Sequence, residues 1–223
     1  MTRISCIIPA WNEATRIGAV LSVALDHPMI DEVIVVDDAS TDDTASVVGA
    51  FPAARLIRQP MNAGKTRAVA TGVAAARGDH VLLLDADLQG LTPDAITALV
   101  MPVARKRADT TISLRGNAPA PWRAIGLDYI SGERVVPKGL LAGLEPQARF
   151  GLEVAMNQRI LAQRLRLTIV RWPAVRSPLK TEKMGLWRGL RADAGMMRDI
   201  FRTIGPTTAA AQIIGMRRLA RRG

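Results

Sequence analysis

The sequence predicts an α/β fold with a mostly parallel central sheet, because strands and helices alternate along its first half. Two short β-rich apolar runs, at 3–8 and 33–36, flank a segment whose apolar residues recur at three-and-four spacing. A continuous apolar run at 80–84 is typical of a strand at the centre of a sheet. Such alternation builds a doubly wound sheet, which binds its ligands at the carboxyl ends of the strands.

The first half of the chain predicts a regular series of elements. Ser, Thr and Asp crowd residues 37–44, where they would cap a helix that follows the second strand. Gly78 and Asp79 then turn the chain into the central strand. The predicted elements are a strand at 3–8, a helix from 17 to 25, a strand at 33–36, a helix after 44, a strand at 54–57, a helix at 65–77, a strand at 80–84 and a helix beginning near Pro93.

The second half is less regular. Its predicted elements are a strand at 110–114, a Pro/Gly-rich connection at 116–121, a helix at 153–165 and a strand at 167–172. Residues 186–222 alternate apolar and basic residues, which predicts one or two amphipathic helices interrupted near Gly205 and Pro206. We therefore expect a main domain at 1–185, with halves 1–110 and 111–185, and a basic extension at 186–223.

Composition places the chain among globular proteins. Its 223 residues, 48% hydrophobic and 22% charged, suffice for one core. The single cysteine, Cys6, lies in an apolar run, so no disulfide framework is expected and a reducing compartment is favoured. No segment approaches the roughly 20 apolar residues of a membrane span. These observations predict a cytoplasmic location.

The net charge of +10 is concentrated near the C-terminus. Residues 171–223 hold 12 Lys and Arg but only 3 Asp and Glu. Clustered basic residues attract nucleic acid, anionic lipid or phosphorylated substrates alike. One tyrosine and three phenylalanines leave little for base stacking, so nucleic acid is the least favoured partner. Peripheral contact with the cytoplasmic face of a membrane remains an expectation.

The acidic residues that follow the central strand are the best candidates for chemistry. Asp85 and Asp87 are two residues apart, so in an extended segment their side chains point the same way. Gln89 continues this spacing. Two carboxylates and an amide oxygen suit Mg²⁺ or Mn²⁺, which would neutralise a leaving diphosphate. The alternative is that both aspartates only precede and cap the next helix.

A second acidic cluster ends the strand at 33–36. Asp37, Asp38 and Ser40 would meet the first cluster at one crevice, where Asp37 or Asp38 could accept hydrogen bonds from a base or a ribose. A phosphate-binding loop at 63–66 is excluded, because Gln59 stands where that motif needs glycine. The first strand also lacks the glycine triplet of a dinucleotide site.

Four successive motifs resemble those of family two glycosyltransferases with the GT-A fold, a Rossmann-like three-layer fold. They are IIPAWNE at 7–13, VVDDAS at 35–40, NAGK at 62–65 and LDADLQ at 84–89. The resemblance implies a UDP or GDP sugar as donor, held by Pro9, Ala10, Asn12, Glu13, Asp37, Asp38, Ser40, Lys65, Asp85 and Ala86. It also implies a metal held by Asp85, Asp87 and Gln89.

The second half is similar to the polyprenyl-phosphate subgroup, which includes enzymes like dolichol-phosphate mannosyltransferase. The motifs are SLR at 113–115, DYISGER at 128–134 and FGLE at 150–153. The resemblance implies that an acceptor phosphate meets Arg115, Ser131 and Arg134, and that Arg176, Lys180 and Lys183 belong to a basic loop over the diphosphate. The segment between Arg115 and Asp128 is shorter than is usual in this subgroup.

Two mechanisms stay open at this point. A phosphate acceptor is already anionic, so metal and arginines would suffice, with Asp87 and Arg134 as catalytic residues. A sugar or small-molecule hydroxyl would need a base, for which Glu153 leads over Asp128 and Glu133. The rival functions are a sugar-phosphate nucleotidyltransferase, whose glycine-rich loop is missing, and a non-catalytic protein that binds membrane or nucleic acid through its basic tail.

Overall fold

The computed structural model describes residues 2–143, 151–178 and 205–220. These residues form an α/β fold around one seven-stranded sheet, as the sequence predicts. The strands are β1 (Ile4–Ala10), β2 (Glu32–Asp37), β3 (Ala54–Arg58), β4 (His80–Leu83), β5 (Thr110–Arg115), β6 (Arg134–Pro137) and β7 (Leu167–Trp172). The helices are α1 (Ile17–Leu25), α2 (Thr44–Gly49), α3 (Lys65–Ala75), α4 (Pro93–Ala104), α5 (Ala120–Ile125), α6 (Gly151–Ala162) and α7 (Pro206–Ala220), with a 3₁₀ turn at Lys138–Leu141.

The strand order is β3-β2-β1-β4-β6-β5-β7. All neighbouring pairs are parallel except those of β6, which runs antiparallel to both β4 and β5. Ala10 of β1 lies beside Asp37 of β2, and Ile7 lies beside Leu83 of β4. The carboxyl ends of β1, β2 and β4 therefore share one edge of the sheet.

Helices cover both faces of the sheet, which gives three layers. Alternate residues of β1 supply the two cores: Ile8 packs in a cluster with α1, α2 and α4, whereas Ile7 packs in a cluster with α3, α6 and α7. This alternation follows from the two-residue period of a strand. It also explains why β1 is mostly apolar, since both of its faces are covered over most of its length.

Two elements differ from the sequence-based expectation. Strand β6 was not predicted, because its four residues Arg134–Pro137 follow a polar segment and include a buried arginine. Helix α5 begins inside the predicted Pro/Gly connection, with a proline in its first turn and a left-handed Gly126 at its end.

Helix α7 begins at Pro206, where the sequence predicts an interruption, and it packs against α6 and β7. The predicted domain boundary at 185/186 lies outside the described residues and stays a prediction. Among those residues, no helix combines the length and apolarity needed to cross a membrane.

Candidate active site

The loops that follow β1, β2, β3 and β4, together with the first turn of α3, line a cleft of about 390 Å³. Both acidic clusters contribute to it, as expected from the parallel order of these strands. Its lining residues are Pro9, Ala10, Trp11, Glu13, Asp38, Asn62, Gly64, Lys65, Ala68, Asp85, Ala86 and Asp87. Eight residues of the predicted donor and metal sites are thus in one place.

Asp38 links the second strand to the helix that carries Lys65. Its carboxylate accepts hydrogen bonds from the backbone N–H groups of Ala63 (2.9 Å) and Gly64 (2.8 Å). Gly64 has φ +86° directly before α3, a conformation that favours glycine. The pair of bonds fixes where α3 begins and hence where Lys65 enters the cleft.

Asn12, Asp37 and Ser40 do not line the cleft. The Asn12 N–H donates to Ser40 Oγ (2.9 Å), and the Ser40 N–H donates to Asp37 Oδ1 (3.0 Å). Asp37 is fully buried, and Arg58 Nε lies 3.5 Å from its Oδ2. These bonds join the loops after β1 and β2, so the three residues shape the wall of the cleft from behind it.

Lys65 joins two acidic residues that come from distant parts of the chain. Its Nζ lies 2.8 Å from Asp85 Oδ1 and 3.0 Å from Glu153 Oε1. Burial disfavours the ammonium, but the attraction of both carboxylates outweighs it, so the pKa of Lys65 rises above its usual value. Burial also raises the pKa of Asp85, but Lys65 more than reverses this effect. The contact therefore favours the charged forms of both Lys65 and Asp85.

The donor atoms at the end of β4 fit a hard divalent cation. Asp85 and Asp87 are partly exposed towards the cleft, and Gln89 is exposed. No three His, Cys, Asp or Glu side chains within the described ranges form a cluster that could hold a metal alone. A cation here would take oxygens from the two carboxylates and the Gln89 amide, and would complete its coordination with water or diphosphate oxygens.

A second group of charges lies beneath the cleft. Arg115 pairs with Asp128 (Nη2 to Oδ2, 3.1 Å) and approaches Glu133 (Nη1 to Oε1, 3.4 Å), while Ser113 and Ser131 each donate to Glu133 Oε2 at 2.8 Å. Burial raises the pKa of Glu133, and the charge of Asp85 raises it further, against the opposing effect of Arg115. Burial likewise raises the pKa of Asp128. Arg115 Nε and Asp128 Oδ1 have no hydrogen-bond partner.

Arg134 and Ser131 do not face the cleft as the resemblance implies. Both are fully buried. The Arg134 guanidinium donates to the Ser131 carbonyl and to Asn157 Oδ1 (3.0 Å), and Ser131 Oγ lies 2.8 Å from Ser113 Oγ. Their polar atoms are used within the protein, so contact with an acceptor would require residues 128–134 to move.

Gly132 is a site residue that sequence reasoning missed. A Cβ atom at this position would lie 2.7 Å from Asp85 Oδ1 and 2.7 Å from Lys65 Nζ. The backbone of Gly132 therefore lies directly against the ion pair. A glycine inside the DYISGER motif is the signal that could have indicated such a close approach.

The segment after β7 runs beside the loop that carries the candidate metal ligands Asp85, Asp87 and Gln89. Arg176 and Gln89 exchange two backbone hydrogen bonds of 2.9 and 2.8 Å, and the Arg176 side chain is exposed. Further along the sheet, Asn117 Nδ2 donates to the Ser177 carbonyl (2.7 Å). Lys180 and Lys183, predicted to follow in a basic loop, lie outside the described residues.

Buried Cys6 and His27 take no part in this site. Burial raises the pKa of the Cys6 thiol, which excludes a thiolate nucleophile. The His27 ring is bonded to backbone and side chain of α4, on the opposite face of the sheet from Glu153.

Comparison with known proteins agrees with this arrangement. Residues 5–157 match the sequence model of a protein family that is described as glycosyl transferase family 2. A dolichyl-phosphate β-glucosyltransferase of Trichomonas vaginalis is 38% identical over 94 residues, which are 36% of this chain and 28% of that enzyme. The glucosyl-3-phosphoglycerate synthase of Mycobacterium tuberculosis is 28% identical over 227 residues, which cover 96% of this chain and 65% of the synthase.

Solved structures of that synthase have the same fold. One, in complex with Mn²⁺, UDP and glucosyl-3-phosphoglycerate, is 26% identical with a TM-score of 0.67, and the match covers 79% of this chain and 72% of the other. Another, in complex with Mg²⁺ and UDP, has the same identity, TM-score and coverage. The chain spans about a third of the length of the first curated relatives that it matches.

Proposed function

Because the chain belongs to glycosyltransferase family 2, we propose that it transfers a sugar from a nucleoside diphosphate donor to an acceptor, with Mg²⁺ or Mn²⁺ as cofactor. The observation that carries the proposal is the contact of the cleft residues Asp85 and Lys65 with each other, and of Lys65 with the buried Glu153, at the carboxyl ends of β1, β2 and β4. Similar proteins that were crystallised with Mn²⁺ or Mg²⁺ and UDP support it.

In this proposal, the nucleoside of the donor lies at one end of the cleft and its diphosphate lies at the other. Pro9, Ala10 and Asp38 surround the nucleoside, and Asp85 and Asp87 face the diphosphate. A bound cation would neutralise charge on the leaving diphosphate. The charged groups beneath the cleft keep the carboxylates in place before the substrate arrives, which is how preorganised sites lower a barrier.

The acceptor belongs to one of two chemical classes, and the site has features that suit each. Arg115 lies at the end of β5, where its guanidinium pairs with Asp128 and Glu133 and its buried Nε has no hydrogen-bond partner; its positive charge suits an anionic acceptor such as polyprenyl phosphate. Glu153 lies near the candidate metal ligand Asp85, with Lys65 between them, which suits a base for a hydroxyl acceptor. We favour the phosphate acceptor, because the relatives include enzymes named for dolichyl phosphate and dodecaprenyl phosphate, whereas phosphoglyceric acid, present in structures of another relative, offers a hydroxyl.

Calorimetric titration tests the donor assignment. We expect UDP or GDP to bind in Mn²⁺ and to lose binding when a chelator is added. Asp87→Ala should abolish metal-dependent binding without unfolding the protein. Asp94→Ala, in the exposed first turn of α4, is the matched control and should bind normally. If neither nucleotide binds wild-type protein, the transferase assignment fails, and the non-catalytic alternative gains support.

Glu153→Gln distinguishes the two acceptor classes. With a phosphate acceptor the variant should keep most of its turnover, since no proton has to be removed. With a hydroxyl acceptor, loss of the base should lower kcat by about 10²-fold or more. Transfer from the bound donor to polyprenyl phosphate and to phosphoglyceric acid is measured side by side. Equal loss with both would contradict a role as base and would indicate only the loss of the Lys65 contact.

The location of the protein in the cell is a separate proposal. We propose a cytoplasmic enzyme that contacts anionic membrane through its basic C-terminus, since Arg217 and Arg218 lie in the last turn of α7. Removing α7 is a poor test, because Met216 is part of the core. Replacing Arg217 and Arg218 with glutamine is the better test. Salt-sensitive binding to anionic liposomes should weaken in this variant, and unchanged binding would contradict the proposal.

A further inference from the structure

We propose that Gln212, on helix α7, is a positioning residue for the active site and acts through Tyr129 on the loop formed by residues 128–133. The inference rests on the proposed function only for its kinetic consequence. The contacts that carry it run from the C-terminal helix to the ion pair in the cleft, through side chains that are almost completely buried.

The first contact joins α7 to the loop. The Tyr129 hydroxyl donates to Gln212 Oε1 over 2.5 Å, and the two side chains lie 83 residues apart in the sequence. Tyr129 is fully buried and Gln212 is 7% exposed. Removing the acceptor would leave a buried phenol without its partner, which is more costly than losing an exposed bond.

The second set of contacts fixes the backbone of the loop. Asn157 Nδ2 donates to the Tyr129 carbonyl (2.8 Å), and its Oδ1 accepts from Arg134. The same guanidinium donates to the Ser131 carbonyl. Asn157 is one helical turn after Glu153 on α6. A shift of Tyr129 would therefore reach both the loop and the helix that carries the candidate base.

The third contact reaches the cleft. Gly132, one residue after Ser131, lies so close to Asp85 and Lys65 that a Cβ atom would meet both. A displacement of this backbone by a few tenths of an ångström would change the space in which the carboxylate and the ammonium sit. The loop is thus the physical connection between Gln212 and a candidate metal ligand.

Packing makes α7 a firm support for this connection. Ala209 of α7 packs in one cluster with Trp122, Tyr129 and Val154. A Cβ atom on Gly215 would lie 2.7 Å from Leu161 of α6, so the two helices are in close contact there. The position of Gln212 is therefore set by the core and not by solvent.

Four variants of the full chain test the inference. Gln212→Leu removes the acceptor, and Tyr129→Phe removes the donor of the same bond. Gln212→Glu keeps a side-chain oxygen at the same distance from the backbone and should retain most of the turnover that Gln212→Leu loses. Met216→Ala, which truncates a buried apolar side chain of α7, is the matched control for loss of stability alone.

The kinetic expectation is a split between turnover and donor binding. Gln212→Leu and Tyr129→Phe should each lower kcat by about tenfold, because a small displacement of groups at the reacting centre costs up to about 10²-fold in rate. The donor KM should change little, because the nucleoside end of the cleft lies on β1 and β2. The double variant should lose no more than either single variant. Met216→Ala should lower the thermal midpoint but leave kcat of the folded protein unchanged.

Two readouts do not depend on activity. Tyr129 is the only tyrosine of the chain, so the tyrosine doublet in its Raman spectrum reports this one hydroxyl, and it should change from a strong donor to a weak one in Gln212→Leu. Hydrogen exchange of residues 128–133 should become faster in Gln212→Leu and Tyr129→Phe, while α1 and α4 stay protected.

The outcomes separate this inference from the proposed function. If wild-type protein transfers no sugar but the loop exchanges faster in Gln212→Leu, the proposed function fails and the positioning of the loop is supported. If the Raman doublet shows the bond lost while kcat and loop exchange equal those of wild type, the positioning role is overturned. If Met216→Ala lowers kcat as much as Gln212→Leu, the effect is one of stability and the positioning role is likewise overturned.

Discussion

At the scale of single residues, the site depends on charges that neutralise one another in a small volume. Three basic side chains lie close to four carboxylates in this site. They are Lys65, Arg115 and Arg134 on one side, and Asp85, Asp128, Glu133 and Glu153 on the other. Buried charges are tolerated only when they are paired and hydrogen-bonded, so each member fixes its neighbours. Such an arrangement is sensitive to changes that move a carboxylate without removing it.

Gly132→Ala is the sharpest single-residue test of this sensitivity. The new methyl group would lie within 2.8 Å of both Asp85 carboxylate oxygens, so the carboxylate and Lys65 have to move apart. We expect Mn²⁺-dependent nucleotide binding to weaken by about tenfold or more, with little change in thermal stability, because the displaced atoms are the ends of side chains. Calorimetric titration measures the first effect, and thermal melting measures the second.

The matched control is Gly139→Ala. A Cβ atom on Gly139 meets nothing within 4 Å, so binding should stay as in wild type. Normal binding by Gly132→Ala would show that the cleft can accommodate the methyl group. The close approach of the loop to Asp85 would then have no effect on nucleotide binding.

At the scale of elements, helix α3 matters because it brings Lys65 to the cleft and packs closely on β1. A Cβ atom on Gly72 would lie 2.5 Å from Ile7 Cγ2, inside the core. Gly72→Ala should therefore lower the free energy of unfolding by about 1–3 kcal/mol through overpacking. Denaturant titration measures this change.

Gly49→Ala provides the contrast, since Gly49 lies in α2 and a Cβ atom there meets nothing within 4 Å. It should be neutral or stabilise by about 0.5–1 kcal/mol, because alanine is the better helix former. Equal effects of the two substitutions would contradict the close packing of α3 on β1.

The link between the loop after α1 and helix α4 predicts a pH dependence. His27 Nε2 lies 2.9 Å from Thr97 Oγ1 and 3.2 Å from the Pro93 carbonyl, and the Met29 N–H donates to His27 Nδ1. Burial lowers the pKa of His27, although the bond to Pro93 opposes this effect. The neutral ring is therefore favoured by folding.

A lowered pKa in the folded state gives stability that is present above the unfolded value, about 6.5, and is lost as the pH falls through the folded pKa. The thermal midpoint, measured from pH 8 to pH 5, should fall in the acid range. This fall should be smaller in His27→Gln than in wild type. An identical decline in both proteins would assign it to other groups.

At the scale of the whole molecule, three layers hold together segments that are distant in sequence. The cleft is lined by the loops after β1, β2, β3 and β4. Gly132 and Glu153 of α6 contact its residues Asp85 and Lys65. A ligand that bridges these parts should stabilise all of them together.

Thermal melting with UDP and Mn²⁺ tests this expectation. At about 100 times the dissociation constant, a ligand that binds only the folded state adds about 2.7 kcal/mol. We expect the midpoint to rise with both ligands present and to return to its starting value when Mn²⁺ is chelated. Asp87→Ala should show no rise. A rise that persists after chelation would show that nucleotide binding does not need the metal.

The sequence by itself determined the order of the main elements and the edge of the sheet at which the candidate site lies. Periodicity predicted α1, and apolar runs predicted the strands beside it, because each has an apolar side that must be buried. The alanine-rich composition of 65–77 predicted α3. The family motifs predicted the cleft residues Asp38, Lys65, Asp85 and Asp87, since they follow directly after strands or begin a helix.

Only the tertiary structure decided which distant groups meet. Periodicity gave no sign of β6, which pairs antiparallel with β4 and β5. Its Arg134 is buried and donates a hydrogen bond to Asn157 of α6. Periodicity could not place Asp37 behind the cleft wall, bring Glu153 to Lys65 or set Gln212 against Tyr129. Local patterns report which face of an element is buried, whereas contacts between segments far apart depend on how the layers pack.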